Sequence, residues 1–189
     1  MGRRYEFEYH NDTLKEFTTF VIDENKLVFR DSILYNPNGT IMAIYRFSKN
    51  SGTNLPLSWK YEYEYDNDNK VSKKFCSLVS QGKYNSIEKY YWNENNINKV
   101  EYFNGDEELY YEFFYEYDDK NNYSLNYPTK ISDLINWSEN NVTEMDFTDH
   151  AGNYDIACRP CETNYNYNKD GFPVSIKLDW GRKMKLNYE

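Results

Sequence analysis

Cysteine, histidine, aliphatic residues and clustered basic charge are all scarce in this sequence, and each scarcity narrows what the chain can do. Its three cysteines, Cys76, Cys158 and Cys161, are too few and too unevenly spaced for a disulfide framework. Only two histidines occur, His10 and His150, each in or next to a turn-like stretch. There is no Gly-rich phosphate loop and no G-x-S-x-G elbow, so no catalytic residue is assigned and the chain reads as a non-enzyme. Lysine is spread along the chain and the net charge is −9, which disfavours phosphate backbones and anionic lipid surfaces; no nucleic-acid partner is expected. No apolar run is long enough for a membrane-spanning helix, and no signal peptide opens the chain. The opening "MGRRYEFEYHN" enters strand-like alternation within a few residues and reads as a mature or trimmed chain, so a missing signal does not imply a cytoplasmic home.

Aromatics are abundant instead. Only 39% of the 189 residues are hydrophobic, yet 19% are aromatic and 21 are tyrosines. Tyr and Phe are therefore expected to carry much of the core, each phenol hydroxyl needing a partner or water. So many large rings argue against the disorder that high polarity alone would suggest.

One phrase organises the chain: an aromatic, a run of Asn/Asp/Gly, an aliphatic, then alternation. It stands as "YHNDTLKEF" (Tyr9–Phe17), "YNPNGTIMAI" (Tyr35–Ile44), "YDNDNKVSKKF" (Tyr65–Phe75), "WNENNINKVEYF" (Trp92–Phe103), "WSENNVTEMDF" (Trp137–Phe147) and "YNKDGFPVSI" (Tyr167–Ile176). A degenerate copy, "YDDKNNYSLN" (Tyr117–Asn126), lacks the aliphatic. Asn, Asp and Gly accept positive φ and bond their own backbone, as tight hairpin turns require. The flanks have period two: Tyr61, Tyr63 and Tyr65 fall on one face, Glu62 and Glu64 on the other. Seven hairpin units predict an all-β single domain over residues 1–189, an antiparallel up-and-down meander of about 14 strands, curled into a barrel or strongly twisted. A membrane-embedded barrel is disfavoured, because its lipid face would be tyrosine throughout.

The aromatic–Asp/Asn turn resembles YD-repeat sequences, the group that includes the shells of RHS toxins. The "NN" plus Val/Ile element of "SENNVTEMDF" and "NENNINKVEYF", with "YEYDDKNNYSLNYP", resembles the uncharacterised DUF4595 proteins of Bacteroides and relatives. That resemblance covers nearly the whole chain. It implies a porin-like all-β meander or barrel in an envelope-associated or exported protein, periplasmic or at the cell surface, and no catalytic residues. No lipobox cysteine and no RHS-type autoproteolytic core accompany it.

Several motifs have competing readings. "CRPC" (Cys158–Cys161) lacks the βαβ context of a redox pair and a second ligand pair for zinc, leaving a loop disulfide or two thiols. "NYNKDG" (Asn166–Gly171) begins like a calcium loop but starts with Asn and places Lys177 at the twelfth position, and "DNDNK" places Lys70 at a ligand position. Both read as turns. No metal or cofactor is assigned. Trp59, Trp92, Trp137 and Trp180 are the candidate ligand-binding residues, since sugars stack on aromatic faces beside Asp/Asn; Trp92 and Trp137 also occupy the wall position of Tyr9, Tyr35 and Tyr65. The leading functional reading is a non-enzymatic binding module for glycan or protein. The alternatives are a YD-repeat-type scaffold without small ligand and a carboxylate-pair hydrolase.

Overall fold

The computed structural model describes residues 3–21, 26–48, 56–122, 137–152, 161–178 and 183–185. They form thirteen strands and no α-helix. These are β1 (Arg3–His10), β2 (Thr13–Val21), β3 (Lys26–Tyr35), β4 (Ile41–Ser48), β5 (Leu57–Tyr65), β6 (Val71–Leu78), β7 (Tyr84–Asn93), β8 (Asn96–Asn104), β9 (Leu109–Asn121), β10 (Asn140–Asp149), β11 (Cys161–Tyr167), β12 (Pro173–Leu178) and β13 (Lys183–Lys185). Strand order follows chain order, with β1 and β13 at the two ends. The expected antiparallel meander is therefore present, and among the described residues no pairing joins β1 to β13.

The repeat phrase builds the turns. Asn11 and Asp12 both take positive φ in the two-residue turn between β1 and β2, the backbone that a hairpin of that length demands. A longer turn recurs. The Asp66 N–H donates to the Lys70 carbonyl and the Asn69 N–H to the Asp66 carbonyl, while Asp66 Oδ1 accepts from the Asp68 and Lys70 amides. Asn168 does the same with Asp170 and Phe172, and Asn104 with Asp106 and Glu108. Both calcium-like stretches thus contain hairpin turns in which an Asx oxygen, that of Asp66 in one and Asn168 in the other, is spent on its own backbone. The degenerate copy differs. β9 runs through Tyr117 to Asn121 instead of turning there, because Asp118 accepts from the backbone and side-chain amides of Asn141 on β10.

Tyrosines stitch successive hairpins together. The hydroxyl of Tyr35 donates to the Leu14 carbonyl at 2.7 Å and that of Tyr65 to Ile41 at 2.8 Å. Tyr117 donates to Ile97 at 2.5 Å and Tyr165 to Val142 at 2.9 Å. In each case the acceptor is the aliphatic residue just after the preceding turn.

Those aliphatics, not the tyrosines, form most of the core. Leu14, Ile41, Val71 and Ile97 are buried, as are Ile33, Ile44, Val100 and Ile176. Among described residues the expected aromatic core holds only for Phe17, Tyr63 and Tyr90, because a phenol rim can reach a carbonyl or water only from the edge of the packed layer. Tyr61 and Tyr65, on the same strand face as Tyr63, are half-buried.

The strands gather in two compact units: Met1–Lys89 with Phe103–Glu108, and Tyr90–Tyr102 with Leu109–Glu189. In the first, a charged row crosses five strands. Asp31 on β3, 1% exposed, takes two hydrogen bonds from the Arg46 guanidinium on β4, at 2.8 and 2.7 Å. Arg46 lies over the Phe29 and Tyr61 rings at 4.3 and 5.4 Å, Lys74 lies 5.4 Å from the Tyr61 centroid, and Lys74 pairs with Glu88 at 2.9 Å. Burial outweighs the guanidinium and raises the Asp31 carboxyl above its ordinary range.

Candidate functional site: an open groove on the first unit

The opposite face of the same strands carries a concavity of about 550 Å³. Its wall comes from Lys60 and Glu62 on β5, Ser77 and Leu78 on β6, Tyr84 and Ile87 on β7, and from Val79, Lys83, Gly105 and Glu107 in the adjoining turns. Register explains the set: Lys60 lies opposite Ser77, and Glu62 opposite Phe75, which lies opposite Ile87. Lys60 and Glu62 alternate with Tyr61, so the groove occupies the polar side of β5 while the tyrosines face the charged row.

Local hydrogen bonds hold the rim. The Leu78 N–H donates to Asn85 Oδ1 at 2.6 Å, and the Asn85 amide donates to Gln81 Oε1 at 2.5 Å. On the far side Gly105 has no steric slack. A Cβ there would sit 2.5 Å from the Tyr84 carbonyl oxygen, so only glycine lets the turn after β8 approach the start of β7 this closely.

An aromatic platform and paired charges line the groove. The Tyr84 ring rests against Phe75, centroids 4.8 Å apart, and remains 40% exposed. Ile87 is buried beneath the groove and Val79 is 43% exposed at its rim. Lys60 Nζ and Glu62 Oε1 stand 2.7 Å apart, and the hydrogen bond to Glu62 raises the Lys60 ammonium above its ordinary range. Lys83 faces Asp106 at 3.8 Å. Charges of both signs therefore lie close together, leaving a groove that offers donors and acceptors without a strong net field. An exposed ring flanked by convergent polar groups suits a neutral, hydroxyl-rich or amide-rich ligand.

The second unit has its own polar cluster. Lys99 bridges Glu101 at 2.8 Å and Glu112 at 2.5 Å, and His150 Nε2 meets Glu112 at 2.5 Å. Hydrogen bonds from Lys99 and His150 hold the Glu112 carboxyl below the usual range. Beside Asp118, whose carboxylate accepts from the Tyr167 hydroxyl, lies a concavity of about 350 Å³ lined by Thr143, Glu144, Glu162 and Tyr165. It is smaller, and the Tyr165 and Tyr167 rings that line it are half-buried.

The sequence-derived candidates fall elsewhere. Trp59 on β5, Trp92 on β7 and Trp137 just before β10 are each half-buried, and none lines the groove; Trp180 lies outside the described residues. Cys161 opens β11 half-buried, and its CRPC partner Cys158 also lies outside them. The groove residues are not singled out by the sequence because "YEYEY" draws attention to its rings, whereas the intervening Lys60 and Glu62 line the groove. Gly105 inside "NGDEE" reads as turn chemistry; its contact with Tyr84 links positions far apart in the chain.

No protein-family model matches the chain, and no curated protein does. Solved structures do resemble it. A porin-like protein from Bacteroides vulgatus is 12% identical, aligned over 97% of this chain and 92% of its own, with a TM-score of 0.56. A porin-like protein from Bacteroides uniformis is 10% identical over 92% of this chain and 81% of its own, with a TM-score of 0.46. A DUF3836 family protein from Bacteroides vulgatus is 17% identical over 57% of this chain and 87% of its own, with a TM-score of 0.33. The first likeness is one of fold: this chain is an all-β antiparallel meander of that kind.

Proposed function

We propose that the chain is a non-enzymatic cell-envelope or exported protein that binds glycan or protein through the groove beside Tyr84. One observation carries the binding role: a large ring, supported from behind by Phe75 yet 40% exposed, beside the close Lys60–Glu62 pair. Stacking on such a ring, with hydroxyls or amides bonded by the flanking charges, is how a β surface grips a neutral polar ligand. The fold likeness to a porin-like Bacteroides protein supports the envelope setting.

A glycan array probed with the wild-type chain and with Tyr84→Ala tests this reading. The expected result is a bound glycan class whose affinity falls at least about tenfold in Tyr84→Ala, the loss of one good aromatic contact. Loss of binding in a Trp59, Trp92, Trp137 or Trp180→Ala variant but not in Tyr84→Ala would move the site to the tryptophans. Binding to no glycan sinks the carbohydrate version and leaves a protein ligand.

A second reading, a scaffold of YD-repeat type without small ligand, is favoured by the tyrosine ties, which bond one hairpin to the next at four places. On that reading Tyr84→Ala changes no binding.

A further inference from the structure

The groove beside Tyr84 has two chemically different ends, and together they fit one class of ligand. A row of directly opposed residues crosses its floor, Lys60 on β5, Ser77 on β6 and Tyr84 on β7. The short Ser77 between two long side chains leaves a hollow two strand spacings wide, about 10 Å. That width takes one sugar residue against the Tyr84 ring. Towards one end stand the Lys60 ammonium and the Glu62 carboxylate, 2.7 Å apart. A donor and an acceptor at that separation match two adjacent hydroxyls of a pyranose, which are themselves spaced like a hydrogen-bonded pair. The lining charges balance, Lys60 and Lys83 against Glu62 and Glu107, so neither a sugar acid nor an amino sugar is favoured. At the other end, past Ser77, lie Leu78 and the 43% exposed Val79. The backbone there is already committed. The Leu78 N–H donates to Asn85, the Val79 N–H to the Ser58 carbonyl at 3.1 Å, and the Gln81 N–H to the Leu78 carbonyl at 2.9 Å. A hydroxymethyl or acetamido group laid on these side chains would gain no backbone partner, whereas a methyl group would cover Val79.

We propose that this groove selects a 6-deoxyhexose. Its ring stacks on Tyr84, two adjacent ring hydroxyls bond Lys60 and Glu62, and its C5 methyl rests on Val79 and Leu78. The inference rests on the binding role proposed above and narrows it to one sugar class. It also makes the Val79 side chain a specificity-determining contact, separate from the ring and the charged pair that supply most of the grip.

Paired sugars test the selectivity. Heteronuclear NMR titration would use the methyl glycosides of L-fucose with L-galactose, D-fucose with D-galactose, and L-rhamnose with L-mannose, since the members of each pair differ only in the C6 hydroxyl. In at least one pair the 6-deoxy sugar should bind about fivefold tighter or more, shifting the amides of Ser77, Val79 and Tyr84. Val79→Ser should bring that preference to within about twofold of parity while binding persists, and Tyr84→Ala should lose both sugars. Far-UV circular dichroism checks that each variant keeps its sheet. Equal or tighter binding of the 6-hydroxy member in every pair, or a preference unchanged in Val79→Ser, overturns the selectivity; the groove remains a glycan site if Tyr84→Ala still loses binding. No binding of any of these sugars, while the array shows another glycan bound, overturns the selectivity alone. With an empty array as well, the carbohydrate reading falls with it.

Discussion

Arg46 holds its neighbourhood together in three ways at once: two hydrogen bonds to Asp31, a guanidinium plane over Phe29, and contact with the Tyr61 ring. Removing one partner of such a pair leaves the other buried without compensation. Arg46→Met should therefore cost about 3–5 kcal/mol in urea denaturation, whereas Asp31→Leu combined with Arg46→Met should cost less than the two single changes summed. The sign with pH follows from the raised Asp31 carboxyl. A group whose folded pKa lies above its unfolded value stabilises the fold most when protonated, so the Arg46→Met deficit should shrink as pH falls through the carboxylate range. The tyrosine ties are smaller. Tyr65→Phe or Tyr35→Phe removes one donated hydrogen bond from a half-buried carbonyl and should cost about 1 kcal/mol, roughly additively since the sites are separate. A cost within error of zero in both would mean that water replaces the hydroxyls freely.

At the scale of elements, turn chemistry was open to reading and contact between turns was not. The Asn/Asp/Gly runs after Tyr9, Tyr35, Tyr65, Trp92 and Tyr167 each name a hairpin, because their φ values and self-bonding are local properties, whereas the run after Trp137 leads into β10, whose partner β9 ends at Asn121. Asn11, Asp12, Gly39, Asn69 and Gly171 all take the positive φ that their residue types allow. The Tyr117 copy misled for an equally physical reason. Its Asp118 accepts from the Lys120 amide as the first residue of a turn would, but its second backbone amide comes from Asn141 on β10, whose side chain also bonds Asp118 and the Asn121 carbonyl. The groove was still less legible, since its rim depends on a turn after β8 meeting the start of β7. Gly105→Ala tests that meeting. The added Cβ must displace the Tyr84 backbone, at a cost of about 1–3 kcal/mol, and any ligand held by the Tyr84 ring should be lost with it. Wild-type stability together with unchanged binding would separate Gly105 from the groove.

For the molecule as a whole, the tyrosine inventory has a collective consequence in alkali. Burial pushes Tyr61 and Tyr65 up to about 12, and Tyr63 further still, against an ordinary value of 10. These phenols are neutral in the fold and ionise more readily when unfolded, so their contribution to stability is complete below pH 10 and is lost as pH rises through about 12. A phenolate absorbance titration should show a group of tyrosines that ionises only as the sheet melts. A single transition at the ordinary value with the fold intact would contradict the burial of Tyr63. What the sequence by itself determined is the strand-and-turn grammar: period-two alternation and Asx-rich turns act over a few residues and need no partner to be read. The tertiary structure alone decided which face of each strand is buried, and that aliphatics rather than tyrosines fill the core. It also decided that the groove lies on the Lys60–Glu62 side. Those outcomes depend on cross-strand register, and register brings together residues such as Gly105 and Tyr84 that no local pattern connects.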